Sequence, residues 1–401
     1  MTNAISLLLL AIQLPATAIL LSRLLKGPRR HLPIKPQQPT PELLGRVSVV
    51  VPTLNEALRI SPLLAGLSRQ SYEVREIVVV DSNSSDGTPD LVKAMQQKDP
   101  RFRLMTDDPL PPGWVGRPWA LHNGFLHSSE ASEWFLGLDA DIQPHSGLVA
   151  GLMKTAEAEG YDLVSLSPQF ILKYPGECWL QPALLMTLLY RFDPAGINTQ
   201  QPERVMANGQ CFLCRRSVLA TVGGYSSASS SFCDDVTLAR NIAVRGYKVG
   251  FLDGAKVLKV RMYEGAMETW KEWGRSLDLK DATSRSQLWG DLWLLFSVQG
   301  LPLLIILTYL LISLLVSHSL ETRLIASLPT PSLLLFSLNL FLLAIRFGML
   351  LAIAPSYDRQ TAKGSWLFWL SPFADPLAVL RIFLSAFRTP REWRGRKYGD
   401  G

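Results

Sequence analysis

Val47 to Pro52 reads VSVVVP, and Glu76 to Asp81 reads EIVVVD. Both are continuous β-branched runs with no apolar–polar alternation, as strands buried on both faces of a parallel sheet read. Ser61-Pro62 follows the first run and Thr88-Pro89 the second. A hydroxyl at the N-cap with proline at the first helical position is a helix-start signal. Strand, helix, strand, helix predicts a parallel sheet wound right-handed. RFRLMTD (Arg101–Asp107) and WFLGLDADI (Trp134–Ile142) read as third and fourth strands, and His145 to Glu159 as a helix ended by Gly160.

Ligands of open parallel sheets bind outside the carboxyl ends of the strands. Acids and amides gather at those ends here: Pro52, Thr53 and Glu56 in PTLNEA, Asp81 in DSNSSDGT, and Asp139 and Asp141 in DADI. A strand continuing through Ile142 puts Asp139 and Asp141 on one side, roughly 7 Å apart. Such a pair is costly unless a cation or water reaches both. No glycine-rich phosphate loop follows the first strand, so phosphates bound here need a metal and basic side chains. Mg²⁺ or Mn²⁺, which take few carboxylates plus phosphate oxygens, fit that need. The chemistry implied is cleavage of a diphosphate ester, with the metal stabilising the leaving charge.

Asp234-Asp235 opens a helical pattern carried by Val236, Leu238, Ile242 and Val244. A helix N-terminus favours the ionised form. Capping accounts for one acid; a second, facing a pocket, is placed to act as general base on an attacking hydroxyl.

The chain has 401 residues, 48% of them apolar, and a net charge of +6. Leu292–Val316 carries no charge and is long enough to cross a bilayer. Leu333–Ala354 contains only Arg346, which must face protein. Ile5–Ser22 lacks a basic leader and is followed by Arg23, Lys26, Arg29 and Arg30, as in an uncleaved anchor. These flanks, with Arg388, Arg391, Arg394, Arg396 and Lys397, orient the intervening region to the cytosol. Trp366–Phe387, broken by Asp375 between two prolines, reads as an interfacial or re-entrant helix. The basic clusters suit an anionic leaflet, so membrane lipid is a partner and nucleic acid is not. Cys178, Cys211, Cys214 and Cys233 read as reduced thiols, and Cys211-x-x-Cys214 has no second pair at zinc spacing.

VSVVVPTLNEA, EIVVVDSNSSDGT, GLDADI and CDDVTLARNIAVRGYKV, in this order over Arg46–Asp253, resemble the family-2 glycosyltransferases. That resemblance implies an α/β GT-A nucleotide-sugar-binding domain with a mostly parallel sheet, plus N- and C-terminal transmembrane helices. It implies Pro52, Thr53, Glu56 and Asp81 as nucleotide contacts and Asp139 and Asp141 as the metal and diphosphate site. Asp235 becomes the base of an inverting transfer, with Asp234 standing where the family more often has Glu. PLPPGWVGRPWALHNGF (Pro109–Phe125) and the C-terminal REWRGRKYG look like the branch with carotenoid and hopanoid-associated glycosyltransferases. There Arg117 replaces an expected lysine and remains able to meet a phosphate. NGQCFLCRRSVLATVGGY (Asn208–Tyr225) corresponds to an acceptor-side segment in which Gly209 permits close backbone approach. Arg261–Ala282, rich in aromatic and basic residues, fits a helix on the membrane face; its Arg275 either reaches the donor phosphates or snorkels at the interface. It lacks the Q-x-x-R-W motif of processive synthases.

The expected organisation is an anchor over residues 1–30, the GT-A domain over 45–260 and an interfacial segment over 261–290. A membrane region with two spans and an interfacial or re-entrant helix completes it over 291–401. The expected activity is transfer of a sugar from a nucleoside diphosphate donor to the hydroxyl of a lipophilic acceptor, a carotenoid first and a polyprenyl phosphate second. A non-catalytic membrane scaffold is the reading from another class, and the paired acidic motifs weigh against it.

Overall fold

The computed structural model describes residues 3–107, 109–274, 277, 279–317, 329–387, 392–393 and 396–397. Arg275, Arg388, Arg391, Arg394 and most of the loop after residue 317 lie outside the described residues. The chain folds as two compact units: Arg29–Ile171 with Asp193–Met262 and Pro390–Gly401, and Met1–Pro28 with Leu172–Phe192 and Tyr263–Thr389.

The first unit is an α/β fold. Its strands are β1 (Val47–Thr53), β2 (Val74–Asp81), β3 (Phe102–Thr106), β4 (Trp134–Leu138), β5 (Ile142–Pro144), β6 (Leu163–Ser167), β7 (Gln169–Ile171), β8 (Cys211–Arg215), β9 (Val249–Asp253) and β10 (Leu258–Val260). The main sheet has seven strands in the order β3-β2-β1-β4-β8-β6-β9. β1, β2, β3 and β4 run parallel, as do β6 and β9, while β8 is antiparallel to both its neighbours. Val49, Val50 and Val51 are fully buried, each contributing about 1.5–3 kcal/mol of burial. Their lack of alternation follows from cover on both faces. β5, β7 and β10 belong to a smaller sheet.

The helices start one residue from where the sequence signals place them. Ser61–Ser68 and Thr88–Gln96 each contain their hydroxyl residue inside the first turn, and neither Ser61 nor Thr88 caps with its side chain. Thr88 instead donates from Oγ1 to Asp86 Oδ1 at 2.6 Å and accepts the Glu56 N–H at 2.9 Å. A loop-to-loop clasp replaces the expected cap. The helix after the D-x-D starts at Leu148 and not at His145, and it ends at Gly160 in the left-handed region, φ 66°.

Among the described residues, four helices are long and apolar enough to cross a membrane: Asn3–Arg29, Arg285–Leu315, Thr330–Ser356 and Ser365–Ala386. The helix through Leu315 begins at Arg285, so residue 290 is inside a continuous helical run. Ser365–Ala386, expected to lie in the interface or to re-enter, is also long and apolar enough to span, though it is the shortest of the four at 22 residues and has the lowest mean hydropathy, 1.5 against 2.1 to 2.3. Leu10, Ile305, Tyr309 and Leu335 pack together in the second unit. Polar residues join its helices: Gln13 and Asn339 exchange side-chain hydrogen bonds at 2.9 and 3.0 Å. Arg346 does face protein. It is buried and forks onto Asp375, Nε to Oδ2 at 2.7 Å and Nη2 to Oδ1 at 3.1 Å. Asp375 also accepts from Gln299 at 3.1 Å. A charge so paired is tolerable in an apolar bundle.

Candidate active site

β1 and β2 place Thr53 opposite Asp81 in the parallel register. Thr53 Oγ1 donates to Asp81 Oδ1 at 2.9 Å. Asp81 Oδ2 accepts the Ser84 N–H at 2.8 Å, so its carboxylate is fixed at the sheet edge. The next residues turn sharply: Asn55 and Asn83 have φ of 56° and 64°, a conformation asparagine tolerates better than most residues. Asn55 Oδ1 accepts the Ser85 N–H at 2.9 Å and Ala57 N–H donates to Asp86 Oδ2 at 2.9 Å. The two strand-end loops are thereby tied together. Pro52 is half-buried beside them, and Glu56 is buried behind.

The strand carrying the D-x-D stops earlier than its apolar run suggests. β4 ends at Leu138, Asp139 to Asp141 form a turn, and β5 starts a different sheet. The two carboxylates are therefore related by a turn and not by strand alternation. The physical cause is hydrogen bonding: β5 pairs with β10, which draws the chain away from β1. The acids still feel each other. Burial, then the Asp139 charge, pushes the Asp141 carboxyl up to about 7, while the Arg59 guanidinium pulls it down. Asp141 Oδ1 is buried with no hydrogen-bond partner.

β8 supplies the other wall. Leu138 pairs with Cys211 across the antiparallel ladder, so the residues leading into β8 arrive beside the residues leaving β4. Gly209 is thus carried next to the D-x-D, and Asp139 N–H reaches Gln210 O at 3.4 Å. The helix Asp234–Val244 presents both of its leading acids to the same place. Asp235 Oδ2 accepts the Gly209 N–H at 2.6 Å, and Oδ1 accepts the Val236 N–H at 2.8 Å.

Arg117, near the start of the helix Gly116–His127, joins these parts. Its Nε donates to Asp139 Oδ1 at 2.9 Å, its Nη1 to Asp234 Oδ2 and its Nη2 to Gly209 O at 2.7 Å. A Cβ on Gly209 would collide with that guanidinium. Burial opposes the charge of Arg117, but Asp139, Asp234 and Asp235 outweigh it and hold the group protonated. Asp234 is buried and its carboxyl pushed up to about 6, by burial first and against the pull of Arg117. Asp235 is only half-buried, its carboxyl raised by burial and restrained by Arg117 and the two backbone N–H groups. The pair is therefore divided: Asp234 is turned to Arg117, and Asp235 stands at the more open side.

The residues fit a divalent cation in one respect. An orphaned buried carboxylate oxygen on Asp141, beside a second carboxylate, is what a hard cation relieves. Among the described residues no three acids, histidines or cysteines gather as a complete metal-binding set. The remaining ligands would have to come from phosphate oxygens and water.

Arg59, whose charge reaches Asp141, is a candidate that acids at the strand ends do not reveal. It lies three residues after Glu56, a cation at the same strand end as the acids. Trp114 and Trp119 stack edge-on at 5.0 Å, with His122 5.0 Å from Trp114. Trp114 also packs on the main core.

A mostly parallel α/β sheet with this constellation at its carboxyl edge defines the GT-A class of nucleotide-sugar folds. Residues 48–223 match the family model "Glycosyl transferase family 2". The 4,4'-diaponeurosporenoate glycosyltransferase of Staphylococcus haemolyticus is 25% identical over 64% of this chain and 68% of its own. The GalNAc(5)-diNAcBac-PP-undecaprenol beta-1,3-glucosyltransferase of Campylobacter jejuni is 32% identical over 29% of this chain and 36% of its own length. The mannosyltransferase PcManGT of Pyrobaculum calidifontis, solved with GDP-Man and Mn²⁺, is a fold neighbour with a TM-score of 0.53. It is 20% identical over 95% of this chain and 97% of its own.

Proposed function

We propose that this chain is a membrane-embedded, metal-dependent, inverting glycosyltransferase. It moves a sugar from a nucleoside diphosphate donor to a hydroxyl of a lipophilic acceptor, with its α/β unit on the cytosolic face. The observation that carries this reading is the single hydrogen-bonded network joining Asp139, Arg117, Asp234, Gly209 and Asp235. A pure nucleotide binder has no use for the second acidic pair.

In this reading Pro52, Thr53, Glu56 and Asp81 hold the nucleotide, and Asp139 with Asp141 takes Mg²⁺ or Mn²⁺ together with the donor diphosphate. The bound metal supplies charge stabilisation for the departing diphosphate. Arg59 and Arg117 add positive charge near it. Asp235 accepts the proton of the acceptor hydroxyl as its oxygen attacks the anomeric carbon. Asp234, tied to Arg117, orients that cation and leaves the proton transfer to its neighbour. The fold neighbour with GDP-Man and Mn²⁺ supports the donor and metal assignment. The spanning helices and the Staphylococcus relative, named for a carotenoid acid, support a lipid-soluble acceptor, a carotenoid in particular. A polyprenyl phosphate is the second reading; the Campylobacter relative, named for a glycan carried on undecaprenyl diphosphate, supports a lipid-linked acceptor in general.

The test uses the protein in lipid nanodiscs with Mn²⁺, radiolabelled UDP- and GDP-sugars, and extracted pigments and lipids. Label in a coloured, alkali-stable band supports a carotenoid hydroxyl acceptor. An alkali-labile coloured product moves the acceptor to a carboxylate, and a colourless, acid-labile product to a polyprenyl phosphate. Turnover unaffected by chelation removes the metal from the mechanism.

A further inference from the structure

We propose that Arg117 stands in for the divalent cation between the two acidic motifs, releasing Asp139 to the metal only when a donor diphosphate draws the guanidinium away. This rests on the reading above that Asp139 and Asp141 take a metal with the donor. Loading of the metal alone is thereby suppressed, and the donor and metal enter as partners.

The geometry carries the argument. One guanidinium has five N–H donors in a rigid fork, and Arg117 commits its Nε, Nη1 and Nη2 to three separate segments. The side chain is 14% exposed and Asp234 5%, but Asp139 is 28% exposed. The contact to Asp234 is thus the sheltered one, and the contact to Asp139 is the one solvent and ligands reach. Within the D-x-D, Asp139 is occupied while Asp141 keeps a buried oxygen with no hydrogen-bond partner. A divalent cation arriving at that oxygen meets the like charge of Arg117 on the adjacent acid, and like charges a few ångströms apart in a sheltered site repel strongly.

A diphosphate changes the balance. Its oxygens offer the fork a bidentate partner of higher charge than one carboxylate. The Arg117–Asp139 pair then opens while Asp234 keeps the side chain near the site. Metal and diphosphate help each other bind, and the coupling is reciprocal. Arg117 acts here on the metal through Asp139 and on the diphosphate directly.

The test titrates Mn²⁺, followed by its EPR signal, into metal-free protein in nanodiscs, with and without UDP or GDP. Wild type should bind Mn²⁺ weakly alone and at least about tenfold more tightly with a nucleotide, the scale of one neighbouring charge removed. By the same charge argument, Arg117→Gln should bind Mn²⁺ without nucleotide about tenfold more tightly than wild type. Arg117→Lys, which keeps the charge but not the fork, should fall between them. A structural defect lowers metal affinity, so a gain separates this role from a merely structural one. If neither variant exceeds wild type without nucleotide, the proposal is overturned. If wild type takes no Mn²⁺ even with both nucleotides, the metal-site reading itself falls, an outcome distinct from the first.

Discussion

Gly209 gives its N–H to Asp235 Oδ2 at 2.6 Å, and its carbonyl takes an N–H of Arg117 at 2.7 Å. One peptide segment therefore spaces the proposed base from the cation that holds Asp139 and Asp234. Gly209→Ala drives a methyl into the guanidinium. Transfer should fall at least about tenfold through displacement of Arg117, with global unfolding changed by only a few degrees. A variant with wild-type kcat would show that the spacing is not used.

Asp235→Asn keeps the shape of the side chain and removes its capacity to take a proton. With a hydroxyl acceptor, kcat should drop by about 10²–10⁴-fold, the usual range for a general base, while the Kd of UDP or GDP holds. Equilibrium binding and single-turnover transfer measured together check this. Unchanged transfer would indicate an acceptor that is already ionised, such as a phosphate or carboxylate.

Burial, then the Asp139 charge, pushes the Asp141 carboxyl up to about 7 in the metal-free fold, from an ordinary value of about 4. Between those values the folded chain holds a proton that the unfolded chain releases, so this carboxyl's effect on stability worsens as pH rises through that window. Metal-free Asp141→Asn lacks the effect. Its melting temperature relative to wild type should climb by a few degrees from about pH 5 to about pH 7 and level off above. A pH-independent difference would contradict the buried, orphaned carboxylate.

Arg346 and Asp375 form a forked pair in the helical unit. Arg346→Met leaves a buried carboxylate beside Gln299 and should cost about 3–5 kcal/mol. The double variant Arg346→Met/Asp375→Leu should recover much of that loss. Thermal unfolding in nanodiscs reads both. Equal losses in the single and double variants would mean the pair is not coupled.

Much of this protein is legible in its amino-acid order. The β-branched runs at Val47–Pro52 and Glu76–Asp81 become β1 and β2, because continuous apolarity is itself the mark of a strand covered on both sides. Arg346 demands a protein partner for a similarly local reason, the cost of a charge in an apolar helix. The acids at the strand ends are visible through their position in the βα pattern alone. The D-x-D departs from its local pattern in one respect: strand alternation does not relate its two acids, since the chain leaves β4 at Leu138 to pair elsewhere.

Sequence alone therefore determined the α/β class, the apolar helices and the acids of the candidate site, because periodicity and composition are properties of neighbouring positions. Tertiary structure decided which of those residues meet. β8 runs antiparallel, which turns Asn208–Gln210 toward Asp139 from a distant part of the chain. Arg117 bridges Asp139 and Asp234, the latter 117 residues away, and Arg346 finds Asp375 across 29. No local pattern encodes such pairings: they follow from strand order and helix packing, which place charges together only after the chain has folded.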